Sequence, residues 1–551
     1  MLERAEIDAL FPADLPDPDH WERTYPPRQL PEGAQVTRFA PSPTGYVHIG
    51  GVYVMIIDKD LAQRTGGRYV IRVEDTDQSR GVADALEQFG RAFDYFGLRP
   101  DEDDTNGAYG PYHQSARERI YQSYVRELMR QGKAYPCFAT REELAEMTTR
   151  QQAAKIPTGY YGQWAIWRDA DDDEVRARLA AGTPYVVRFR VPDDIPPRVR
   201  FTDLIRGELE HESNRNDTVI LKSSDQSPRL PTYHFAHVVD DHLMRMTIVL
   251  RGEEWISSVP LHLQLFEALG LEPVPYAHFA LLMKQIPGGK RKLSKRKDPE
   301  AGVDFYIEAG FPADAVKYYL RGLINGRLAE VPLPEALAAP IRLDQCGVAG
   351  PLVDLVKLED ISADHIATLS GRQVLDAVRG WAGRFDAELL RVLDAEPELA
   401  LRALAVEREG VENPRKDLRK WSDFRAAYGF FFPELFTPLS GPDDERLASL
   451  GVDPAVAAAF GRDLADGYQQ LADPAEWFDQ IRELAAKHGF ARNAKEYKKD
   501  PDAYPGSLRE AAQLVRVAVT GSTRSPDLHA ISQAIGEQEF VARVRRLAGP
   551  A

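Results

Sequence analysis

The chain has 551 residues, 43% hydrophobic and 28% charged, which excludes wholesale disorder, a collagen-like repeat and a coiled-coil rod and allows about three to four domains. Lys and Arg total 69 against 85 Asp and Glu, a formal charge of -16 that by itself argues against a general nucleic-acid binder, because phosphate neutralisation needs clustered cations. Two cysteines, Cys137 and Cys346, exclude a disulfide scaffold and a four-thiolate zinc site; with an acidic N-terminus and no run of about 18 apolar residues, they predict a cytoplasmic protein with no membrane segment.

Residues 1–34 are rich in Pro and Asp and read as an extension that orders on contact rather than as a domain. A strand is predicted over Gln35–Ala40, then a turn at Pro41-Ser42-Pro43-Thr44-Gly45, then a helix over Val52–Leu61 opened by His48-Ile49-Gly50-Gly51. A second strand follows at Tyr69–Val73. Phe89, Phe93 and Phe96 form a helical stripe, and Ile120, Tyr124 and Leu128 repeat it. Strand, helix, strand, helix predicts a parallel α/β sheet. The alternation loosens from 115 to 230, which predicts an inserted α+β domain. It resumes at Thr232–Val239, at Thr247–Arg251 and in a helix over Val259–Leu269. Beyond about residue 300, Ala-, Leu- and Glu-rich segments predict an all-helical remainder, broken at Gly322, Pro351, Pro414, Gly441 and Pro474.

Two segments carry chemistry. A strand ending in a Pro/Gly turn and feeding a helix that begins His48-Ile-Gly-Gly51 sets backbone N–H groups, a helix N-terminus and an imidazole at a sheet edge, which suits a phosphate group. A plain glycine turn between strand and helix reads the same way, so this signal alone is weak. Lys290-Arg-Lys-Leu-Ser-Lys-Arg-Lys297 places six cations in eight residues after Pro287-Gly288-Gly289; as a hinged loop it would bring mobile positive charge to a departing pyrophosphate, and as a solvated charge run it would do nothing specific.

Together, Arg38-Phe-Ala-Pro-Ser-Pro-Thr-Gly-Tyr-Val-His-Ile-Gly-Gly51 and Lys292-Leu-Ser-Lys-Arg296 resemble the two signatures of class I aminoacyl-tRNA synthetases, in their bacterial-type glutamyl branch. Arg72-Val-Glu-Asp-Thr-Asp77, Pro231-Thr-Tyr-His-Phe-Ala236, Val238-Val-Asp-Asp-His-Leu-Met244 and Leu250-Arg-Gly-Glu-Glu-Trp255 recur in that family's order, and Asn413–Asp417 and Val519–Asp527 resemble its C-terminal region. The resemblance runs from about residue 35 to the end of the chain. It implies ATP-dependent ligation of L-glutamate to the 3' end of tRNA through a glutamyl-adenylate, with Mg2+ arriving on ATP. It implies a Rossmann-like catalytic domain in two halves, 35–114 and 231–297, around an acceptor-arm domain at 115–230, then a helical stem-contact region at 298–380 and a helical anticodon-binding region at 381–551.

The implied catalytic residues are His48, Lys292 and Lys295, with His48, Gly50, Gly51 and Lys295 on ATP and Arg38, Ala40, Ser42, Glu74, Tyr233, His237 and Arg251 around glutamate. The two arginines are suited to the side-chain carboxylate. Asp240-Asp241-His242 invites a metal reading, but three consecutive ligands suit neither helix nor strand geometry, and the resemblance makes them a structural or tRNA-proximal segment. Two departures stand out. Some members carry zinc on closely spaced cysteines, whereas Tyr135-Pro-Cys-Phe-Ala139 keeps only Cys137, so no zinc is expected. Some relatives have Asn where this chain has His237; an imidazole there can still donate a hydrogen bond or can alter the pocket's charge near neutral pH, and both readings stay open. The expected partner is glutamate tRNA, with glutamine tRNA as a second candidate, for a monomer; the alternatives are a glutaminyl-tRNA synthetase and a non-catalytic tRNA-binding paralogue. Arg415–Lys420 and Lys495–Lys499 are read with the 290–297 run as local phosphate-binding clusters.

Overall fold

The computed structural model describes residues 2–42, 47–77 and 85–549, so the predicted turn residues Pro43, Thr44 and Gly45 lie outside the described residues. The contacts divide the chain into two units, 1–305 with 317–354, and 306–316 with 355–551.

In the first unit the N-terminal residues form two short helices, α1 (Arg4–Asp8) and α2 (Pro18–Thr24). Phe11, Leu15 and Tyr25 are buried in the unit's main core, so this segment is a built part of the fold and not an extension awaiting a partner. Parallel strands β1 (Val36–Phe39) and β2 (Arg68–Ile71) flank α3 (Ile49–Arg64). Both strands are buried on both faces over most of their length, with Thr37 and Arg38 of β1 among the buried residues; α3 buries Val52, Met55, Ile56 and Ile57. Only glycine fits at position 67, because a Cβ there would lie 1.8 Å from the Gln35 carbonyl oxygen that receives the first β2 hydrogen bond. The predicted stripes bury on α4 (Ala85–Phe96) and α5 (Glu118–Arg130).

The segment predicted as an insertion holds an antiparallel sheet of β3 (Ala134–Cys137), β4 (Val186–Phe189) and β7 (Val219–Leu221), with α6 (Arg141–Ala153) and α7 (Asp172–Ala180) between β3 and β4 in the chain. Between β4 and β7 runs a hairpin, β5 (Arg198–Asp203) and β6 (Gly207–Glu212), that pairs elsewhere. Thr232–Val239 opens a helix, α8 (Tyr233–Leu243), which is followed by β8 (Val249–Gly252), α9 (Val259–Leu269) and β9 (Tyr276–Phe279). β8 and β9 are parallel, and Asp203 at the end of β5 joins them by pairing with Tyr276. Thr247 N–H, just before β8, bonds the Val36 carbonyl of β1 at 3.1 Å, bringing the two halves of the parallel layer side by side. The antiparallel pair β10 (Met283–Ile286) and β11 (Gly289–Lys292) completes this part of the unit.

The second unit is helical around a core that includes Val378, Phe424, Phe431, Trp477, Val517 and Phe540. Its helix starts follow local rules: Ser370 with Gln373 and Ser507 with Glu510 form capping boxes, and Asp473 caps a helix whose first residue is Pro474. Gly322, predicted as a break, instead lies within the helix Ala313–Ile324, its missing side chain admitting Ala329. Among the described residues no helix is long and apolar enough to cross a membrane.

Candidate functional site

On α8, Tyr233, His237 and Asp241 fall at i, i+4 and i+8 and therefore share one face. Asp241 is fully buried, and its Oδ1 accepts Arg38 Nε at 3.1 Å and Arg72 Nη1 at 2.5 Å. Arg72, also fully buried, donates to Glu74 Oε1 at 3.0 Å. Beside it Asp240 accepts Arg117 Nε at 2.7 Å, Tyr121 OH at 2.7 Å and Gln114 Nε2 at 2.9 Å. Asp240 and Asp241 are thus buried, internal counter-ions of an arginine cluster. Burial alone would push the Asp241 carboxyl up, but Arg38 and Arg72 hold it below the usual carboxylate range. Glu74 goes the other way, raised by burial against the pull of Arg72 and Arg38.

Arg251, at the end of β8, is held on three sides. Its Nε donates to His278 Nε2 at 3.0 Å, its Nη2 to the Trp255 carbonyl at 3.3 Å, and its guanidinium lies 4.7 Å from the Tyr276 ring centre. Its Nη1 is buried without a partner. Tyr233 packs against Trp255 and His237, and its hydroxyl is raised to about 12, chiefly by burial and then by Glu74. His237 touches Arg38 Nη2 (3.4 Å), Asp241 Oδ2 (3.2 Å) and Tyr276 OH (3.3 Å). Burial, followed by Arg251, Arg38 and Arg72, holds its pKa well below the ordinary value. The imidazole is therefore neutral near pH 7, so of the two readings the change in pocket charge does not occur.

Arg38, Glu74, Tyr233, His237 and Arg251 thus come together as predicted. Ala40 and Ser42 sit just beyond the end of β1, Ser42 exposed. Arg38 and Arg72 share Asp241, Arg72 also meets Glu74, and Arg117 is matched by Asp240, whereas Arg251 is held by the neutral His278 ring and the Trp255 carbonyl with no carboxylate at contact distance among the described residues. Arg72 and Asp241 were not predicted. The signals for them were an arginine flanked by Ile71 and Val73, and the spacing of Asp241 from Tyr233 and His237 once this segment is taken as a helix.

Against the start of α3 lies a cavity of about 250 Å³ lined by His48, Gly50, Gly51, Glu254, Lys292 and Leu293, among others. His48 is the N-cap: its Nδ1 accepts Gly50 N–H at 2.8 Å. A Cβ on Gly51 would press on the Phe39 ring at 3.2 Å, so glycine keeps the helix start close to the strand. Burial, followed by Lys295 and Lys292, lowers the His48 pKa to about 4, so its ring is neutral at physiological pH. Lys292 pairs with Glu254 at 3.1 Å. Lys295 is exposed but set far enough into the site that desolvation lowers its pKa.

The cationic run is more firmly built than a hinged loop. Its first half is β11, and Arg291 forms a two-pronged bond to Asp298, both contacts at 2.7 Å. Farther on, Arg415, Lys416, Arg419 and Lys420 all pair with acids, on Asp417, Asp364 and Glu359, so that cluster is internally neutralised. The lone Cys137 has Arg188 Nε 3.2 Å from its Sγ and Tyr160 OH at 3.4 Å. A guanidinium against the one cysteine of this segment does not fit a zinc ion, which needs deprotonated ligands around it.

Residues 35–326 match the model of tRNA synthetases class I (E and Q), catalytic domain, and residues 506–548 match an anticodon binding domain. The chain is 40% identical over 544 residues to a glutamate–tRNA ligase of Clostridium perfringens, covering 97% of this chain and 98% of that protein. It is 38% identical to the corresponding ligase of Sorangium cellulosum, covering 96% and 97%. The crystal structure of a glutamate tRNA ligase from Elizabethkingia meningosepticum, in complex with its amino acid, superposes with a TM-score of 0.76 at 27% identity over 93% of this chain and 99% of that one. With a parallel α/β catalytic unit, a helical remainder and matches spanning nearly its whole length, the chain belongs to the glutamate–tRNA ligase family of class I tRNA synthetases.

Proposed function

We propose that this chain joins L-glutamate to the 3' end of tRNA in two steps, through a glutamyl-adenylate, with the residues of the pocket and the adjoining cavity in the following roles. The observation that carries the reading is the buried Arg251, which has no carboxylate partner among the described residues and an unpartnered Nη1, next in the chain to Gly252 of the cavity lined by the α3 N-terminus and Lys292. The side-chain carboxylate of glutamate supplies the missing acceptor. Arg251 and Arg38 take its side-chain carboxylate, Tyr233 adds a neutral donor, and Glu74, with Ala40 and Ser42, faces the α-amino end. His237 contributes a neutral ring.

The α-carboxylate attacks the α-phosphorus of ATP and pyrophosphate leaves. Gly50, Gly51 and neutral His48 hold phosphate oxygens at the start of α3, and Lys295 and Lys292 offset the charge that grows on the departing pyrophosphate. Lys292 is exchanged from Glu254 to phosphate in this step. Magnesium enters with ATP, since the groups around the cavity are mainly donors suited to phosphate oxygens rather than a carboxylate cage. In the second step the ribose of the terminal adenosine takes the glutamyl group and AMP leaves. Residues 115–230 are read as the acceptor-arm domain, 298–380 as the stem contact and 381–551 as the anticodon-binding region, in a protein that acts as a monomer.

The test is pyrophosphate exchange with purified protein, with and without tRNA, using glutamate or glutamine. Glutamate-dependent exchange is expected; no exchange in any combination, or exchange with glutamine alone, overturns the reading. Charging of separately purified glutamate and glutamine tRNAs then decides between one substrate tRNA and two.

A further inference from the structure

Arg251 is aimed by residues from a distant part of the chain. Asp203 ends β5, 48 positions before Arg251 and inside the segment predicted as an insertion. Its Oδ1 is anchored by the backbone N–H groups of Ile205 and Arg206 at 3.0 and 2.9 Å. Its Oδ2 receives the His278 backbone N–H at 3.1 Å and lies 2.6 Å from His278 Nδ1. Burial would raise this carboxyl, but the bonds from His278 and from the Arg206 and Ile205 backbone outweigh it and hold the group ionised. An anion that accepts three backbone N–H groups can only accept from the imidazole as well, so the His278 proton sits on Nδ1. The opposite nitrogen, Nε2, is then a bare acceptor, and Arg251 Nε donates to it at 3.0 Å. Asp203 and His278 are both buried, and their polar side-chain atoms are already committed to one another, to backbone N–H groups and to Arg251.

The consequence lies in which guanidinium hydrogens remain. With Nε bound by His278 and Nη2 turned to the Trp255 carbonyl, Nη1 is left buried and unpartnered. A buried donor without an acceptor is costly unless a ligand completes it. We propose that Asp203 and His278 are positioning residues that fix the rotation of the Arg251 guanidinium, so that Nη1 is presented to the side-chain carboxylate of the amino-acid substrate. This rests on the glutamate-binding role assigned to Arg251 above. It also gives the β5–β6 hairpin a part in amino-acid recognition, since the carboxylate that sets the imidazole tautomer stands on that hairpin.

The experiment is steady-state pyrophosphate exchange with His278→Phe, His278→Gln and Asp203→Asn, measuring KM for glutamate and for ATP separately, with thermal midpoints recorded for each protein. His278→Phe removes the acceptor and is expected to raise the glutamate KM about 10- to 100-fold while the ATP KM stays within about twofold. His278→Gln keeps an acceptor oxygen near the Nε2 position and is expected to stay within about fivefold of wild type for glutamate. Asp203→Asn offers an N–H to the ring, moves the proton to the face that meets Arg251, and should raise the glutamate KM about tenfold or more even if His278→Phe cannot be purified. A wild-type glutamate KM in His278→Phe or Asp203→Asn overturns the inference, as does equal impairment of the Gln and Phe variants, or a parallel rise in both KM values. Each of these leaves wild-type exchange, and so the functional reading, standing. Absence of exchange in the wild type overturns that reading and this inference with it.

Discussion

Replacing Asp241 by Asn tests the charge balance of the pocket most directly. The carboxylate is fully buried, and it binds Arg38 at 3.1 Å and Arg72 at 2.5 Å through one oxygen, with Arg38 Nη2 at 3.4 Å from the other. Asparagine keeps the shape but removes the charge and turns an amide N–H₂ toward a guanidinium. The remaining anions cannot make up the loss: Glu74 reaches only Arg72, and Asp240 is 4.0 Å from Arg72 Nε and already committed to Arg117. Removing one partner of a buried ion pair costs about 3–5 kcal/mol, because the other charge is left without compensation. That is a large part of the roughly 5–15 kcal/mol by which folded domains are stable. With a urea slope of about 3 kcal/mol per molar, the unfolding midpoint of the full chain should fall by about 1–1.7 M. The pH dependence adds a second readout. The Asp241 carboxyl is held below its usual range in the fold, so its stabilisation is fully present above the unfolded value near pH 4 and is lost as the pH falls through the folded value. The gap between wild type and Asp241→Asn should therefore narrow in acid. A midpoint shift below about 0.3 M at neutral pH with an unchanged slope, or a gap that widens in acid, would refute the assignment of Asp241 as the counter-ion of Arg38 and Arg72.

Lys295→Ala should lower the maximal exchange rate about 100-fold or more while changing the ATP KM only a few-fold, since the charge it offsets grows as pyrophosphate departs; equal losses in both would remove Lys295 from that role. His48 is folded with a pKa of about 4 against about 6.5 unfolded. Between those values the unfolded chain binds the extra proton, so His48 makes stability fall as the pH drops from about 6.5 toward 4; a His48→Asn protein should show a shallower decline there, and an unchanged or steeper one would contradict a buried neutral ring. Because Arg188 stands against Cys137, treatment with a zinc-selective chelator at constant free Mg2+ should leave exchange unchanged, and inactivation restored by added zinc would disprove it.

What was legible in the sequence was what local pattern determines. β1, α3, β2 and the stripes of α4 and α5 each carry their period or their apolar run within about sixteen residues, and the strand–turn–helix at His48 follows from adjacent glycines. The pocket's supports were not legible because their partners are remote. Arg38 meets Asp241 across 203 positions, Arg72 meets it across 169, and Asp203 meets His278 across 75. Thr232–Val239 carries no assigned element in the sequence reading, so the helical face shared by Tyr233, His237 and Asp241 did not show there. The pairing of the 415–420 cluster was hidden for a different reason: a run of Lys and Arg shows charge but not its neutralisation, and Glu359 and Asp364, some 50 or more positions earlier, sit against that group.

The net charge of -16 is uninformative for the same physical reason. Solvent-exposed charges more than about 8 Å apart are largely screened at physiological ionic strength, so the many surface carboxylates have little effect on a desolvated pocket. Inside that pocket each charge acts at contact distance and low dielectric, where one uncompensated unit outweighs many screened ones. In the proposed function, Arg251, which has no carboxylate at contact distance among the described residues, is what would select an anionic amino acid. It also sets a limit on redesign. Converting the site to a neutral substrate requires removing one positive charge from Arg251 or Arg38 while keeping Asp241, because deleting an acid instead would strengthen the demand for an anion and destabilise the fold at the same step.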